Sequence, residues 1–259
     1  MADIQARPQP GTPEQAHRML PLGAFGSYLL LGGILCVLAT FGFGWLAKGI
    51  FADQFVAFDK GIITWLHSYW GPLTDQIMLF FTTMGSTLIL ALWVILAAAA
   101  LLRKGRWIDA GGLVVAAGGA GIANQALKEI FKRVRPDLFP GPFHLTSYSF
   151  PSGHSMGSIA VYGMLAFVIV RLLRRRSHQV AVILAAALLV ICVGLSRIYF
   201  DVHYPTDVLG GFLAGGTWLA ITIGIVQAAE WHARRKARFA AGESRDKVES
   251  PRHQARQDS

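Results

Sequence analysis

Long apolar runs, nearly free of charge, alternate with short polar stretches along most of this chain. The runs cover Leu22–Ala47, Leu73–Leu102, Ile108–Leu127, Met156–Val170, Val180–Leu195 and Val208–Ala229. A helix that crosses a bilayer needs about 20 such residues. Four runs reach that length, and the fourth and fifth complete it with their flanks. The pattern therefore predicts an all-α integral membrane bundle of six transmembrane helices over residues 21–230. Between the first two runs, Phe51, Phe55, Phe58, Ile62, Trp65, Leu66 and Tyr69 recur at helical spacing, with Asp53, Asp59 and Lys60 elsewhere around the helix. That stretch is expected to lie along the membrane surface as an interfacial helix. The first run is longer than the core of a signal peptide, and no small-x-small cleavage pattern follows before Lys48, so it is read as a retained span.

Composition agrees with the pattern: 53% of the residues are hydrophobic and 15% charged, against about 25% charged in a soluble domain. The net charge of +9 is unevenly placed. With six spans both termini share a side, and that side collects Arg7 and Arg18, then Arg103, Lys104 and Arg106, the four arginines between Arg171 and Arg176 and the eight Lys and Arg residues of the basic tail, seventeen of the 24 in all. The positive-inside rule makes it cytoplasmic. The basic balance thus reports orientation in an inner (cell) membrane, and with no accompanying motif it gives no reason to expect a nucleic-acid partner. Residues 1–20 and the basic tail from 231 to 259 are expected to be disordered cytoplasmic segments. Trp45, Trp70, Trp107 and Trp231 fall at span ends, where interfacial aromatics belong. The glycine-rich "GGLVVAAGGAG" of the third span follows no strand and breaks the dinucleotide-loop register at Asn124; it is read as a helix-packing surface. Cys36 and Cys192 lie within spans and form no metal or disulfide spacing.

Three polar clusters remain: "KEIFKRVRP" at 128–136, "PSGHS" at 151–155 and "SRIYFDVHYPTD" at 196–207. Counting crossings from a cytoplasmic N-terminus puts all three at the outer surface. Lys128, Arg135 and Arg197 then share one face of the bundle with few carboxylates to neutralise them. Such a set fits a phosphate monoester, which carries about −1.5 to −2 charges near neutral pH. Ser152 is a plausible N-cap, and Gly153 lets backbone N–H groups approach an anion. His203 precedes Asp207 by four residues, a spacing that brings the carboxylate to one ring nitrogen and leaves the other free to attack phosphorus. His154 is placed to give a proton to the departing oxygen. His67, His144 and His178 are read as structural or solvated. Zinc ligation by two histidines and an aspartate is disfavoured by the surrounding cations, so no metal or cofactor is expected. Asp201, between Arg197 and His203, is expected to pair with a neighbouring cation.

At these residues the chain resembles the type-2 phosphatidic acid phosphatase superfamily, which also contains vanadium-dependent haloperoxidases. The family pattern K-x6-RP, PSGH and SR-x5-H-x3-D reads here as Lys128 to Arg135-Pro136, residues 151–154, and Ser196-Arg197 to His203 and Asp207. The resemblance implies His203 as the nucleophile of a phosphohistidine, Asp207 as its orienting partner and His154 as the leaving-group acid. Lys128, Arg135, Ser152, Gly153 and Arg197 would hold the phosphoryl oxygens. It further implies a metal-independent membrane lipid phosphatase whose substrate is phosphatidic acid, phosphatidylglycerophosphate, undecaprenyl diphosphate or a lipid A phosphate. A lipid-linked phosphotransferase using the same site, or a non-catalytic lipid-binding protein, are the alternatives. The partners expected are the lipid substrate and membrane lipids, with the site facing the periplasm or exterior. Neither the particular lipid nor the oligomeric state is readable from the residues.

Overall fold

The computed structural model describes residues 22–139, 143 and 145–257, with side chains described between residues 32 and 236. The described residues are helical, in eight segments: α1 (Leu22–Phe51), α2 (Val56–His67), α3 (Pro72–Met84), α4 (Thr87–Arg103), α5 (Trp107–Phe131), α6 (Gly153–Val170), α7 (Arg176–Tyr199) and α8 (Pro205–Gln257). Five of these are long and apolar enough to cross a membrane, and α3 with α4 makes a sixth if that bent pair is one span.

The second apolar run was expected to form one transmembrane helix, and the structure divides it into two. It breaks at Gly85-Ser86 with a bend of 50°. Ser86 caps α4 by accepting from the Ile89 N–H at 3.4 Å, which starts a new helix inside the apolar run. Gly85 is needed at the break, because a Cβ there would stand 2.3 Å from Val193 Cγ1 of α7.

α6 is the most buried of the candidate spans and lies between α5, α7 and α8. Leu113, Val161, Met164, Val190 and Val226 meet along its sides to form the main apolar core. The glycines of α5 divide in two. Gly112 and Gly119 admit Val226 and the Trp218 ring, where a Cβ would lie 2.3 and 2.0 Å from them, while Gly111, Gly118 and Gly121 have open space beside them. Close packing therefore uses two of the five, one helical face of the motif.

α2 forms where a helix was expected. Asp59 and Ile63 are buried, with Ile62 and Leu66 packed beside Ile63, whereas Phe58, Trp65 and Tyr69 are exposed. The expected apolar stripe is thus divided between the bundle and its outer surface, and Asp59 is drawn inward by partners described below. Trp70 likewise turns inward, donating from Nε1 to Tyr199 O at 2.9 Å, while Trp45, Trp107 and Trp231 stay exposed. At the backbone level α8 continues to Gln257 through a stretch rich in Ala, Glu, Lys and Arg, where disorder was expected from residue 231. Residues 1–20 lie outside the described residues.

Candidate active site

Four helix ends converge at one end of the bundle. Lys128 comes from the last turn of α5, Gly153 and His154 from the first turn of α6, Arg197 from the last turn of α7 and Asp207 from the first turn of α8. α5 ends at Lys132, whose left-handed backbone (φ 48°) turns the chain out of the helix. The segment that follows carries Arg133, Arg135, Ser149 and Ser152 past the ends of α6 and α8. It is tied down by the Ser149 N–H to Arg133 O at 2.8 Å and by the Ser152 N–H to Asp207 O at 3.0 Å. Phe150, wholly buried, packs where Gly210 has no side chain, and Asn124 Nδ2 donates to Pro151 O at 3.1 Å.

His203 and Asp207 are both buried. The Asp207 carboxylate is held from all sides. Its Oδ1 accepts from Arg133 at 2.6 Å; its Oδ2 accepts from the Tyr204 N–H at 2.9 Å and from the Ser149 hydroxyl. His203 Nδ1 lies 3.5 Å from Oδ2 and 3.3 Å from Ser149 Oγ, so the ring nitrogen faces both the carboxylate and the hydroxyl. On the other side, Arg135 Nη1 stands 3.1 Å from His203 Nε2. A guanidinium only donates, so Nε2 must present its lone pair and Nδ1 must carry the proton. The tautomer is thereby fixed from both faces of the ring. Burial, against the pull of Asp207, lowers the His203 pKa from 6.5 to about 3, so the ring is neutral at physiological pH.

The cations sort into two kinds. Arg133 is paired twice, with Asp207 at 2.6 Å and Asp59 at 2.8 Å, and its guanidinium lies 4.2 Å from the Tyr204 ring centroid. Burial works against its charge, but the two carboxylates outweigh that and raise its pKa. Lys128, Arg135 and Arg197 make no ion pair among the described residues. Lys128 Nζ donates to Tyr148 O at 2.5 Å. Arg135 donates to Val202 O at 2.5 Å, to Ser147 O at 2.8 Å and to Ser147 Oγ at 3.0 Å. Arg197 Nη1 donates to Thr82 Oγ1. Arg197 Nε is buried with no partner. Burial also lowers the Arg135 pKa, against the pull of Asp207. Three half-buried or buried cations held by neutral acceptors form a site of strong positive potential, suited to a multiply charged anion. His154 lies within reach of the charges of Arg197, His203, Arg135 and Lys128, so it borders the same space.

The sequence of residues 109–231 matches the PAP2 superfamily. Over 146 residues the chain is 39% identical to phosphatidylglycerophosphatase B of Bacillus subtilis, covering 56% of this chain and 71% of that protein. The chain belongs to the PAP2 superfamily. The crystal structure of a transmembrane PAP2-type phosphatidylglycerolphosphate phosphatase from Bacillus subtilis superposes with a TM-score of 0.69 at 33% identity, covering 74% of this chain and 96% of that one. A lipid A 1-phosphatase of Rhizobium etli is 34% identical over 118 residues, 42% of this chain and 46% of that protein. This PAP2 protein is accordingly a multi-pass membrane protein, and the three polar clusters of its sequence meet in one site.

Ser152, expected at the phosphate, spends its hydroxyl on its own helix in this PAP2 fold: Oγ accepts from the Ser155 N–H at 3.4 Å and lies 3.0 Å from Ser155 Oγ. At Gly153 a Cβ would stand 3.0 Å from Asn124 Oδ1, so the close approach there is between helices. Asp201 forms no ion pair among the described residues. Its Oδ2 accepts from the Leu138 and Phe139 N–H groups at 2.7 and 2.9 Å, and a left-handed backbone (φ 52°) aims it at that loop. His67 stacks on Phe139 with ring centroids 3.6 Å apart, His178 is exposed, and His144 lies outside the described residues. Reading the sequence missed Ser149, Arg133, Asp59 and Thr206. Asp59 had a weak signal, a carboxylate on an amphipathic stretch expected at the membrane surface, which it shares with Asp53. Ser149 had none beyond standing two residues before the PSGH stretch.

Proposed function

We propose that this PAP2 protein hydrolyses the phosphate monoester or diphosphate of a lipid at the extracytoplasmic face of the cell membrane, through a phosphohistidine on His203. The reading takes α3 and α4 together as one broken span, giving six. The observation that carries it is the trio of cations without carboxylate partners around a neutral, tautomerically fixed imidazole. Lys128, Arg135 and Arg197 take up the phosphoryl oxygens and stabilise the charge that builds up on them. His203 Nε2 attacks phosphorus as the P–O bond to the lipid breaks, and His154 gives its proton to the departing oxygen. Asp207, with Ser149, stabilises the positive charge that appears on the ring. Water, losing a proton to His154, then cleaves the P–N bond, releasing phosphate and restoring both histidines. Phosphatidylglycerophosphate is the first substrate to try, since the relative of which this chain covers the largest share is named for it.

The test is phosphate release in detergent from phosphatidylglycerophosphate, phosphatidic acid, undecaprenyl diphosphate and lipid A. At least one lipid should be turned over, in the presence of chelator, with inhibition by vanadate and loss of more than about 100-fold in His203→Ala. Turnover that survives this substitution within tenfold removes His203 as nucleophile. Orientation is checked by cysteine labelling. Leu145→Cys, at the site end, should react with a membrane-impermeant maleimide on intact cells, and Ser177→Cys, at the start of α7, only after lysis.

A further inference from the structure

Asp59 is fully buried and lies on α2, far in sequence from the three clusters. It accepts from Arg133 Nη2 at 2.8 Å, from the Thr206 N–H at 3.1 Å and from the Thr206 hydroxyl at 2.6 Å. Arg133 in turn reaches Thr206 Oγ1 at 2.8 Å and Asp207 Oδ1 at 2.6 Å. Two buried carboxylates are thus bridged by one guanidinium, which spends one nitrogen on each. We propose that Arg133, held by Asp59, is a positioning residue for the reaction: it fixes the rotation of the Asp207 carboxylate and supplies the positive charge between the two buried acids.

The geometry gives each part a task. With Oδ1 bound to Arg133, Oδ2 is the oxygen left for His203, Ser149 and the Tyr204 N–H. Rotating the carboxylate would exchange the two and break contacts on both sides. A neutral side chain at 133 leaves Asp59 and Asp207 as two buried negative charges without a cation between them. Two like charges so placed cannot both stay ionised, and one takes up a proton. A protonated Asp207 no longer supports the cationic ring that forms during attack. Arg133 is kept from the substrate by the same arrangement, since both ends of its guanidinium are occupied by carboxylates. Its loss should therefore act on the chemical step and not on substrate binding.

The inference rests on the reading of His203 as nucleophile, and the experiment separates the two. With phosphatidylglycerophosphate in detergent micelles, Arg133→Gln should lower kcat by about 100-fold while KM moves by less than about threefold. Arg133→Lys keeps the charge but not the two-pronged bridge, and should fall about tenfold in kcat. Adding Asp59→Asn to Arg133→Gln removes the competing negative charge and should restore kcat by about tenfold over Arg133→Gln alone. A purely structural role would make that double variant worse. Activity is read on protein that elutes as a single species, and Arg133→Lys decides the matter should Arg133→Gln not fold. The inference is overturned if either Arg133 variant raises KM with kcat intact, or if the double variant is no faster than the single one. A wild-type protein that releases phosphate from none of the lipids overturns the nucleophile reading and this inference with it.

Discussion

His203 shows how a residue legible in the sequence acquires its chemistry only from its surroundings. Its spacing to Asp207 correctly anticipates that the two meet. The Ser149 hydroxyl shared by ring and carboxylate and the Arg135 contact at Nε2 come from segments that no local pattern connects. The same holds for Asp201, whose neighbours in sequence are cationic but whose partners in space are backbone N–H groups. Burial of His203 has a consequence for stability. Its pKa is 6.5 in the unfolded chain and about 3 in the folded one. Above pH 6.5 the ring is neutral in both states and folding is indifferent to it. Below that value only the unfolded chain takes up the proton, so stability falls steadily as the pH drops toward 3. Thermal unfolding in detergent, compared at about pH 7 and pH 5, should show a smaller loss for His203→Gln than for the wild type. Equal losses would mean that the histidine is not held neutral by the fold.

Among the elements, the apolar pattern located the helix-forming stretches of the bundle but could not say where a run breaks or how the helices touch. Hydrophobicity marks a run as membrane-length; it does not reveal that Ser86 restarts a helix within it or that Gly85 lies against α7. α2 was predicted from the right residues, but its tie to the bundle through the Asp59–Arg133 ion pair was not. The glycine-rich stretch of α5 separates into tight and open positions only once the neighbours are known. Trp218 lies over Gly119 and is fixed there by Nε1 donating to Val115 O at 3.2 Å and Ala116 O at 3.1 Å. Gly119→Ala should therefore displace this ring and cost about 1–3 kcal/mol, whereas Gly118→Ala, with open space beside it, should be neutral or slightly stabilising through helix propensity. The thermal midpoints of the two variants give the comparison. A Gly119→Ala protein as stable as Gly118→Ala would show that α5 and α8 do not pack as closely as described.

At the scale of the whole molecule, two polar assemblies close the two ends of an apolar bundle. One is the candidate active site. The other joins Asp109 to Arg106 at 2.7 Å and to Arg171 at 3.1 Å, with Arg171 also paired to Glu230, and Glu230 to Arg234 at 3.1 Å. The charge asymmetry of the sequence anticipated a basic end, though not that Arg106, Arg171 and Arg234 would pair with Asp109 and Glu230. α8 runs unbroken between the two assemblies, carrying Asp207 in one and Glu230 in the other. Twenty-three residues of helix at 1.5 Å each separate them by about 35 Å, slightly more than the roughly 30 Å of a bilayer's hydrocarbon core. α8 is therefore a ruler with a charged stop at either end. In a membrane much thicker than the ruler, one stop is pulled into hydrocarbon; in a much thinner one, apolar surface is left in water, and either mismatch strains the bundle. Reconstituted into bilayers of increasing acyl length, the protein should turn over fastest at an intermediate thickness. A rate indifferent to acyl length would mean that the two ends yield independently. The bilayer that supplies the substrate would then also set the pace at which it is consumed.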